Sequence, residues 1–368
     1  MTDYQLRICD LRSDDDLDRL DITGVTYDDY ISKTGSLQGT VTISNRDLAQ
    51  RAKAALIPGR TMLYLEQNTA FGTEIVWGGV LWTRTPTANA RGLLTLPIQA
   101  GALEGYFRSH RLLVESMTYA GMDQLEIARQ LIFWAQAQSG GNLNIEIDYS
   151  QASGVLRDRT YSRYDLPWVG GLIDQLASVD GGFEWRIQCY ADATGQTHRA
   201  LRLGYPTLSV GVSDVVIDSP GATLGYALPE DATVMATAWQ SRGASINQNQ
   251  ASASTPLMSP LLTSPADIAA GWPRMDGTSD YSTVEVQATL DAHAAADLAR
   301  ARMPVVIPSV TYKSGDRVQP QLGSFVRLRI TDDWFTELHS ARYRVVGLRA
   351  SPEERGRPDT TALYLEAA

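Results

Sequence analysis

Over the first hundred positions apolar residues come in short runs or alternate with polar ones. LQGTVTI (37–43), TMLYLEQ (61–67), EIVWGGVLWTR (74–84) and GLLTLPIQA (92–100) are rich in Val, Ile, Thr and aromatics, and turn residues such as Pro58-Gly59 separate them. This pattern predicts a small antiparallel barrel or sandwich. One stretch departs from simple alternation: EIVWGGVLWTR is apolar on both phases, with a tryptophan towards each end and Gly78-Gly79 between them. After Gly105 the period lengthens. In GMDQLEIARQLIFWAQAQSGG, Asp123 is placed to cap a helix with Glu126 three residues on, Leu125, Ala128, Ile132 and Ala135 line one face widened by Leu131, and Gly140-Gly141 stops it. A second helix is predicted to start near Asp165 and Pro167, with Val169, Leu172, Ile173 and Leu176 on one face and Gly181-Gly182 at its end. The alternating strand FEWRIQC and its partner ALRLGY (200–205) follow, joined through DATGQ. Residues 105–205 thus read as a compact α+β unit.

Beyond Pro206 strand patterns return in VSDVVID and ATVMATAWQ. A long polar, Pro-spotted segment, QSRGASINQNQASASTPLMSPLLTSPADIAAGWPR, reads as a functional or disordered loop. The Ala-rich helix LDAHAAADLARARM follows, closed by Pro304. The chain ends in the strands PVVIPSVTY, GSFVRLRIT, RYRVVGL and TALYLEA; in the second, Val326, Leu328 and Ile330 alternate with Arg327 and Arg329. The outer strand blocks are readable as two copies of one barrel, although no residue repeat demonstrates it.

At 368 residues the chain is long for one core and suggests two to four units. Its net charge of −10, with Lys33, Lys53 and Lys313 the only lysines and no basic run, argues against a protein that binds nucleic acid by neutralising phosphates. The opening MTDYQLRICDLRSDDD lacks the features of a signal peptide, and no apolar run reaches membrane-spanning length, so cytoplasmic synthesis without stable membrane insertion is expected. Cys9 and Cys189 give neither a disulfide framework nor zinc spacing, and Cys189, in phase with Phe183, Trp185 and Ile187, reads as a buried, inert thiol.

Catalytic signatures are missing from the sequence. It has no H-E-x-x-H, no G-x-S-x-G and no G-x-x-x-x-G-K-[ST]. His110, His198, His293 and His339 are scattered, which favours surface or capping roles over a triad. The acidic run SDDDLDRLD (13–21) is the best metal candidate, but it lacks the Gly and Glu of an EF-hand loop and reads better as a solvated turn. Asp28-Asp29 and Asp332-Asp333 are neighbours that an extended chain points to opposite faces. Carboxylates spaced for glycoside hydrolysis are neither indicated nor excluded. Trp77, Trp82, Trp134, Trp168 and Trp185 sit inside patterned elements, favouring core packing over a binding platform. No catalytic, cofactor-binding or metal-ligating residue is therefore assigned, and no cofactor is expected.

DRLDITGVTYDDYISKTGSLQGTVTIS leading in, IPGRTMLYLEQNTAFGTEIVWGGVLWTR after it and the late strand GDRVQPQLGSFVRLRI together resemble tail hub proteins of long-tailed bacteriophages. These are also called minor tail, baseplate hub or tail-tip proteins, and they are relatives of contractile-phage baseplate hubs and of the base of secretion spikes. The resemblance runs over nearly the whole chain; its motifs, the P-G-R turn at 58–60 and W-G-G-V-L-W at 77–82, are patterns of packing rather than chemistry. It implies a mainly β, hub-type fold with an α+β insert: two similar small antiparallel β-barrels plus two accessory domains. Residues 1–104 would form the first barrel, 105–205 the α+β accessory domain, 206–239 and 304–368 the second barrel, and 240–303 a loop-and-helix accessory lobe.

The resemblance further implies a structural virion protein, assembled in the host cytoplasm and located at the phage tail tip. A homotrimer would give six barrels to a ring that docks on the six-fold tail tube. Its partners would be a distal tail or tail tube protein above, the tape measure protein, and tail fibre or tip proteins below, with DNA only passing through the lumen during ejection. Net acidity suits a conduit for phosphates. Longer relatives carry fibre, peptidase or sugar-binding regions after the hub, whereas this sequence runs to TALYLEAA directly after its last strand, so no enzymatic activity is expected. In such a ring EIVWGGVLWTR would be buried on one face by its own core and on the other by a neighbour, Gly78-Gly79 permitting a bulge or a close backbone approach. The competing readings are a β-rich carbohydrate-active enzyme and a carbohydrate-binding module acting at the host cell surface.

Overall fold

A computed structural model of the chain describes residues 3–69, 72–221, 223–245, 255–282, 284–303, 305–313, 320–354 and 358–368. The first block contains β1 (Asp3–Asp10), β2 (Asp16–Leu20), β3 (Thr23–Tyr30), β4 (Ser36–Ile43), α1 (Arg46–Ala55), β5 (Thr61–Thr69), β6 (Gly72–Arg84), β7 (Thr87–Ala88) and β8 (Leu94–Ala102). Next come α2 (Leu103–Ser109), β9 (Met117–Asp123), α3 (Gln124–Ala137), β10 (Ile145–Ile147), β11 (Leu156–Tyr161), α4 (Val169–Ala177), β12 (Glu184–Ala191) and β13 (Thr197–Gly204). The remainder holds β14 (Asp214–Ser219), β15 (Thr223–Ala227), β16 (Glu230–Asp231), β17 (Ala238–Ser245), β18 (Pro256–Met258), β19 (Leu262–Thr263), α5 (Pro265–Ala269), β20 (Asp276–Asp280) and α6 (Gln287–Ala301). The last strands are β21 (Val305–Val306), β22 (Ser309–Lys313), β23 (Phe325–Ile330), β24 (His339–Ser351) and β25 (Thr360–Ala367).

The fold is mainly β with helices packed on it. Among the described residues one sheet gathers fourteen strands, running β15-β22-β25-β24-β3-β4-β8-β6-β5-β1-β2, with β7 beside β8 and with β14 and β23 branching from β24. Alternation places its strands as the pattern predicts. In β4, Leu37, Val41 and Ile43 are buried; in β23, Val326, Leu328 and Ile330 are buried while Arg327 and Arg329 turn outward to Asp214 (2.9 Å) and Asp218 (2.6 Å) of β14. β5 is buried on both faces. Leu63 and Leu65 enter a core shared with β1, β3, β4, β8 and α1, whereas Met62 and Tyr64 enter a second core built by α2, α3, α4, β12 and β13. Two-sided burial is why β5 and β6 lack a polar phase.

The two ends of the large sheet repeat one another. Chain order and pairing are the same in β3-β4-β8-β6-β5 and β15-β22-β25-β24-β23, every neighbouring pair being antiparallel. Registers coincide as well. Leu81 faces Ala100 and Thr83 faces Gln99, skipping Trp82; Val345 faces Leu365 and Gly347 faces Tyr364, skipping Val346. A register shift also recurs between β3 and β4 and between β15 and β22. Before the third strand of each set in chain order, β5 and β23, a left-handed glycine donates its N–H to the long strand: Gly59 (φ 74°) to Leu81 O at 2.7 Å and Gly323 (φ 85°) to Val345 O at 2.8 Å. The ends differ beyond these strands, since β5 pairs antiparallel with β1 while β23 pairs parallel with β14. The two ladders meet where β24, past its pairing with β23, takes β3 on the same edge, from Gly347↔Tyr30 to Ala350↔Tyr27.

Three expected elements are altered. The α3 cap is Asp123, accepting from Leu125 N at 2.9 Å, but Glu126 lies against Arg129 and Gln130 instead of closing a capping box; the second Asp123 oxygen takes Ser153 N and Gly154 N, both at 2.8 Å. The helix expected near Asp165 begins at Val169, because Leu166 adopts a left-handed conformation (φ 48°) after a short 3-10 turn at Arg163–Asp165. Residues 238–239, expected at the end of the second barrel's first segment, instead open β17, which runs on to residue 245 at the centre of a separate sheet with β18, β19 and β20, covered by α6. The region expected as loop and helix therefore contains a sheet and α5 as well, where its residues are described. Residues 246–254 of the polar segment and Pro304 lie outside the described residues.

Candidate functional site

The residues with the most constrained chemistry lie where β12 and β13 wedge against the large sheet. Arg199 of β13 is almost fully buried (2% exposed) because it reaches through the second core to the edge of the first ladder. Its guanidinium donates to Tyr64 Oη (2.7 Å), Leu11 O (2.7 Å) and Leu143 O (2.8 Å) and pairs with Asp14. On the other ladder Arg344 of β24, 4% exposed, pairs with Glu184 of β12 at 2.6 Å and Glu366 of β25 at 2.5 Å, and donates to Leu208 O at 2.9 Å. One hairpin is thus pinned to both halves of the sheet. Arg108 of α2 completes the clamp, gripping Asp174 of α4 through two 2.8 Å bonds, and the same carboxylate accepts Trp185 Nε1.

Beneath the hairpin, β6 answers the question of its glycines. A Cβ at Gly78 would stand 2.6 Å from the Cβ of Cys189 on β12, and one at Gly79 would stand 2.3 Å from Gly101 O on β8 and 2.4 Å from the Trp77 ring. The close approach is real, but it is made within the chain. This corrects the expectation that a neighbouring molecule covers the outer face of β6: β12 and α2 of the same chain cover it. Trp77 is buried on the inner side, donating Nε1 to Asp28 O at 3.1 Å, while Trp82 turns to the other side and stacks on His110. Burial pushes the Cys189 thiol up to about 12, in keeping with an inert thiol.

Next to this contact sits a buried acid cluster. Arg186 of β12 pairs with Asp29 of β3 at 2.5 Å; Glu104, at the start of α2, accepts from Ile187 N at 2.5 Å, and its second oxygen has no hydrogen-bond partner. Burial, with the Asp29 charge adding to it, raises Glu104 to about 7; burial also raises Asp29 despite its arginine. Because the folded-state pKa of Glu104 lies above its ordinary 4.5, its stabilising contribution is complete below about pH 4.5 and is lost as pH rises through about 7. Asp29 acts in the same direction. Thermal unfolding across pH 5–8 checks this: the Glu104→Gln variant is expected to lose less stability with rising pH than the parent, by on the order of 1–3 kcal/mol. Equal slopes would contradict it.

A cleft of about 880 Å³ opens beside the cluster, between the first ladder, the hairpin and the second ladder; Asp29, Glu74, Arg186, Gln188, Arg202 and Tyr205 are among its walls. No group of three or more His, Cys, Asp or Glu among the described residues is arranged to hold a metal ion.

Candidates named from sequence fall into structural roles. The acidic run splits: residues 11–13 turn and Asp16–Leu20 is β2, and three of its five carboxylates are taken by separate arginines, Asp14 by Arg199, Asp16 by Arg7 and Asp18 by Arg51. Asp28 and Asp29 do face apart, the first accepting Ser36 N (2.6 Å) and the second Arg186. Asp332 caps its own turn at Trp334 N and Phe335 N. His198 lies between Glu146 (2.6 Å) and Asp192, which raise its pKa; His293 is buried against Tyr281, where burial lowers it to about 4; His339 stacks on Phe335. Trp185 is fully buried, but Trp168 is 41% exposed, a correction to its expected core role, because the delayed start of α4 leaves it at the N-cap. The arginine clamps were not foreseen. Arg199 does carry a signal, standing in phase with the buried Leu201 and Leu203.

No protein-family model matches the chain, and no curated protein sequence does. Solved structures do. A tail protein from Neisseria meningitidis MC58 superposes with a TM-score of 0.61 at 14% identity, covering 99% of this chain and 96% of that one. The chain has the fold of phage tail proteins. The 43 kDa tail protein of prophage MuSo2 from Shewanella oneidensis gives 0.59 at 8% identity, over 99% and 98% of the two chains. A Francisella PdpA–VgrG complex in its lidded form gives 0.55 at 9% identity, over all of this chain and 53% of that one. The likeness in fold thus spans the chain.

Proposed function

We propose that the protein is a structural component of a phage tail, a trimeric hub at the distal end that adapts a six-fold tube to three-fold tip components and lines part of the DNA-ejection channel. The observation that carries this reading is the repeated ladder. Two sets of five strands with one order and one register give a single chain two equivalent building blocks, so three chains supply six. Residues 1–104 and 206–239 with 304–368 are the two barrel domains in this reading, 105–205 and 240–303 the accessory ones. The likeness in fold to tail proteins supports a virion location, with tube and tape measure proteins on one side and tip or fibre proteins on the other. The charge of −10 suits a lumen that lets phosphates slide past. The buried clamps and the separate arginine partners of Asp14, Asp16 and Asp18 support an architectural role and no catalysis. Native mass measurement of the purified chain tests the reading: particles of three chains are expected, and a strictly monomeric species at high concentration would overturn it.

A further inference from the structure

The repeat has one junction filled and its equivalent open. Within the chain, β3 of the first ladder lies along β24 of the second, with Gly347↔Tyr30, Leu348↔Asp29, Arg349↔Asp28 and Ala350↔Tyr27, and Ile31 N donates to Val346 O at 3.0 Å. Carrying each partner to the other ladder through the shared registers assigns its counterpart. Gly347 and Leu348 correspond to Thr83 and Arg84, because Val345/Leu365 corresponds to Leu81/Ala100 with the same residue skipped after it. Tyr27–Tyr30 correspond to 228–231: β16 continues the register of β15, with Glu230↔Val306 and Asp231↔Val305 following Ala227↔Ser309. β16 pairs β21 on the side where β15 pairs β22, which leaves its other edge open among the described residues. Residues 83, 85 and 86 on one side and 229–231 on the other are exposed.

We propose that the open edge of residues 228–231 in one molecule adds as an antiparallel strand to residues 83–86 of a second copy, reproducing between chains the junction that β3 and β24 make within one. This rests on the hub reading and names its contact. In the proposed register Asp231 lies opposite Thr83 and Glu230 opposite Arg84, whose guanidinium donates within its own chain to Lys53 O at 2.8 Å, so one acid of the added strand meets a cation, as Asp28 stands in register with Arg349 inside the chain. Leu224, Val234 and Ile307 stand exposed in the neighbourhood of this edge in sequence and register, an apolar border that a soluble single molecule would leave to water. An unpaired strand edge is itself a template for a further strand.

The Ile31–Val346 bond makes 31/346 a hydrogen-bonded pair, so Tyr30/Gly347, and with it Asp231/Thr83, is of the closer, non-hydrogen-bonded kind suited to a disulfide. The test is the full-length Thr83→Cys, Asp231→Cys double variant, oxidised mildly and resolved without reductant beside each single variant. Chains linked up to closed trimers only in the double variant are the expected result. Trimers by native mass with no cross-link would overturn this contact while leaving the hub reading intact, and monomers alone would overturn both. A second arm reads the charge pair: Glu230→Arg is expected to weaken association at least tenfold with an unchanged unfolding midpoint, and Arg84→Glu in the same chain to restore it, with far-UV circular dichroism checking that the double variant folds although Arg84 no longer donates to Lys53 O. Loss without restoration would count against the pairing.

Discussion

The Gly79→Val substitution is expected to destabilise the isolated chain by about 3 kcal/mol or more, since overpacking against rigid partners lies at the costly end of core insertions. The first added carbon would stand 2.3 Å from Gly101 O, a backbone atom held in the β6–β8 ladder, and 2.4 Å from the buried Trp77 ring. Neither has room to yield, because Trp77 is fixed by its bond to Asp28 O and its far side is packed by the inner core. Gly225→Ala is the control: a Cβ there meets nothing within 4 Å, and a change within about 0.5 kcal/mol is expected. Denaturant unfolding of both variants decides the matter. A Gly79→Val chain of parental stability that fails only to assemble would show that another molecule, and not β8, is what the glycine accommodates.

Arg199→Met is expected to cost about 3–5 kcal/mol, the usual penalty for removing one member of a buried charged network. Methionine fills similar space but leaves Leu11 O, Leu143 O and Tyr64 Oη without their donor, and Asp14 with the Tyr64 hydroxyl (2.8 Å) in place of its cationic partner. Two of these are backbone carbonyls, which no side-chain substitution removes. Because Arg199 ties the hairpin to the first ladder, the loss is expected to appear first as faster amide exchange in β12 and β13, ahead of β4, β6 and β8. Exchange that rises uniformly through the chain would argue that the clamp is not what seats the hairpin.

Much of the fold was legible because half-buried strands and amphipathic helices write their period into the chain. β4, β5, β6, β8, β12, β13 and β23–β25 and the helices α3, α4 and α6 follow from alternation or helical spacing, and Asp123 was identifiable as a cap. α1 was overlooked although its signals are present: Asn45 accepts from Leu48 N, Asp47 stands in the first turn and Lys53 in the last. The double burial of β6 was legible, but its cause was not, since an apolar second phase reports that something covers it and not whether the cover is the same chain. Glu104 lies in an apolar stretch, LPIQAGALEGYF, yet its burial depends on β12, some eighty residues later in sequence.

The outer blocks were readable as two copies of one barrel, but no residue repeat marks them, and for a simpler reason. Equivalent positions hold Leu81 and Val345, Trp82 and Val346, Thr83 and Gly347: what the two ladders share is where a strand skips a residue and which edge it offers, and neither demands a particular side chain. Register is set by burial and turn geometry, so residue identity drifts while pairing stays. The lead-in glycines Gly59 and Gly323 are the clearest common mark, kept by a positive φ at both places.

Electron cryo-microscopy of the assembled particle tests the central claim most directly. Three chains around a pore, with the two ladders of each alternating as six near-equivalent lobes and Thr83 of one chain beside Asp231 of the next, is the predicted result. A ring in which the two ladders of a chain occupy unrelated radii or environments, or a particle without a pore, would contradict it.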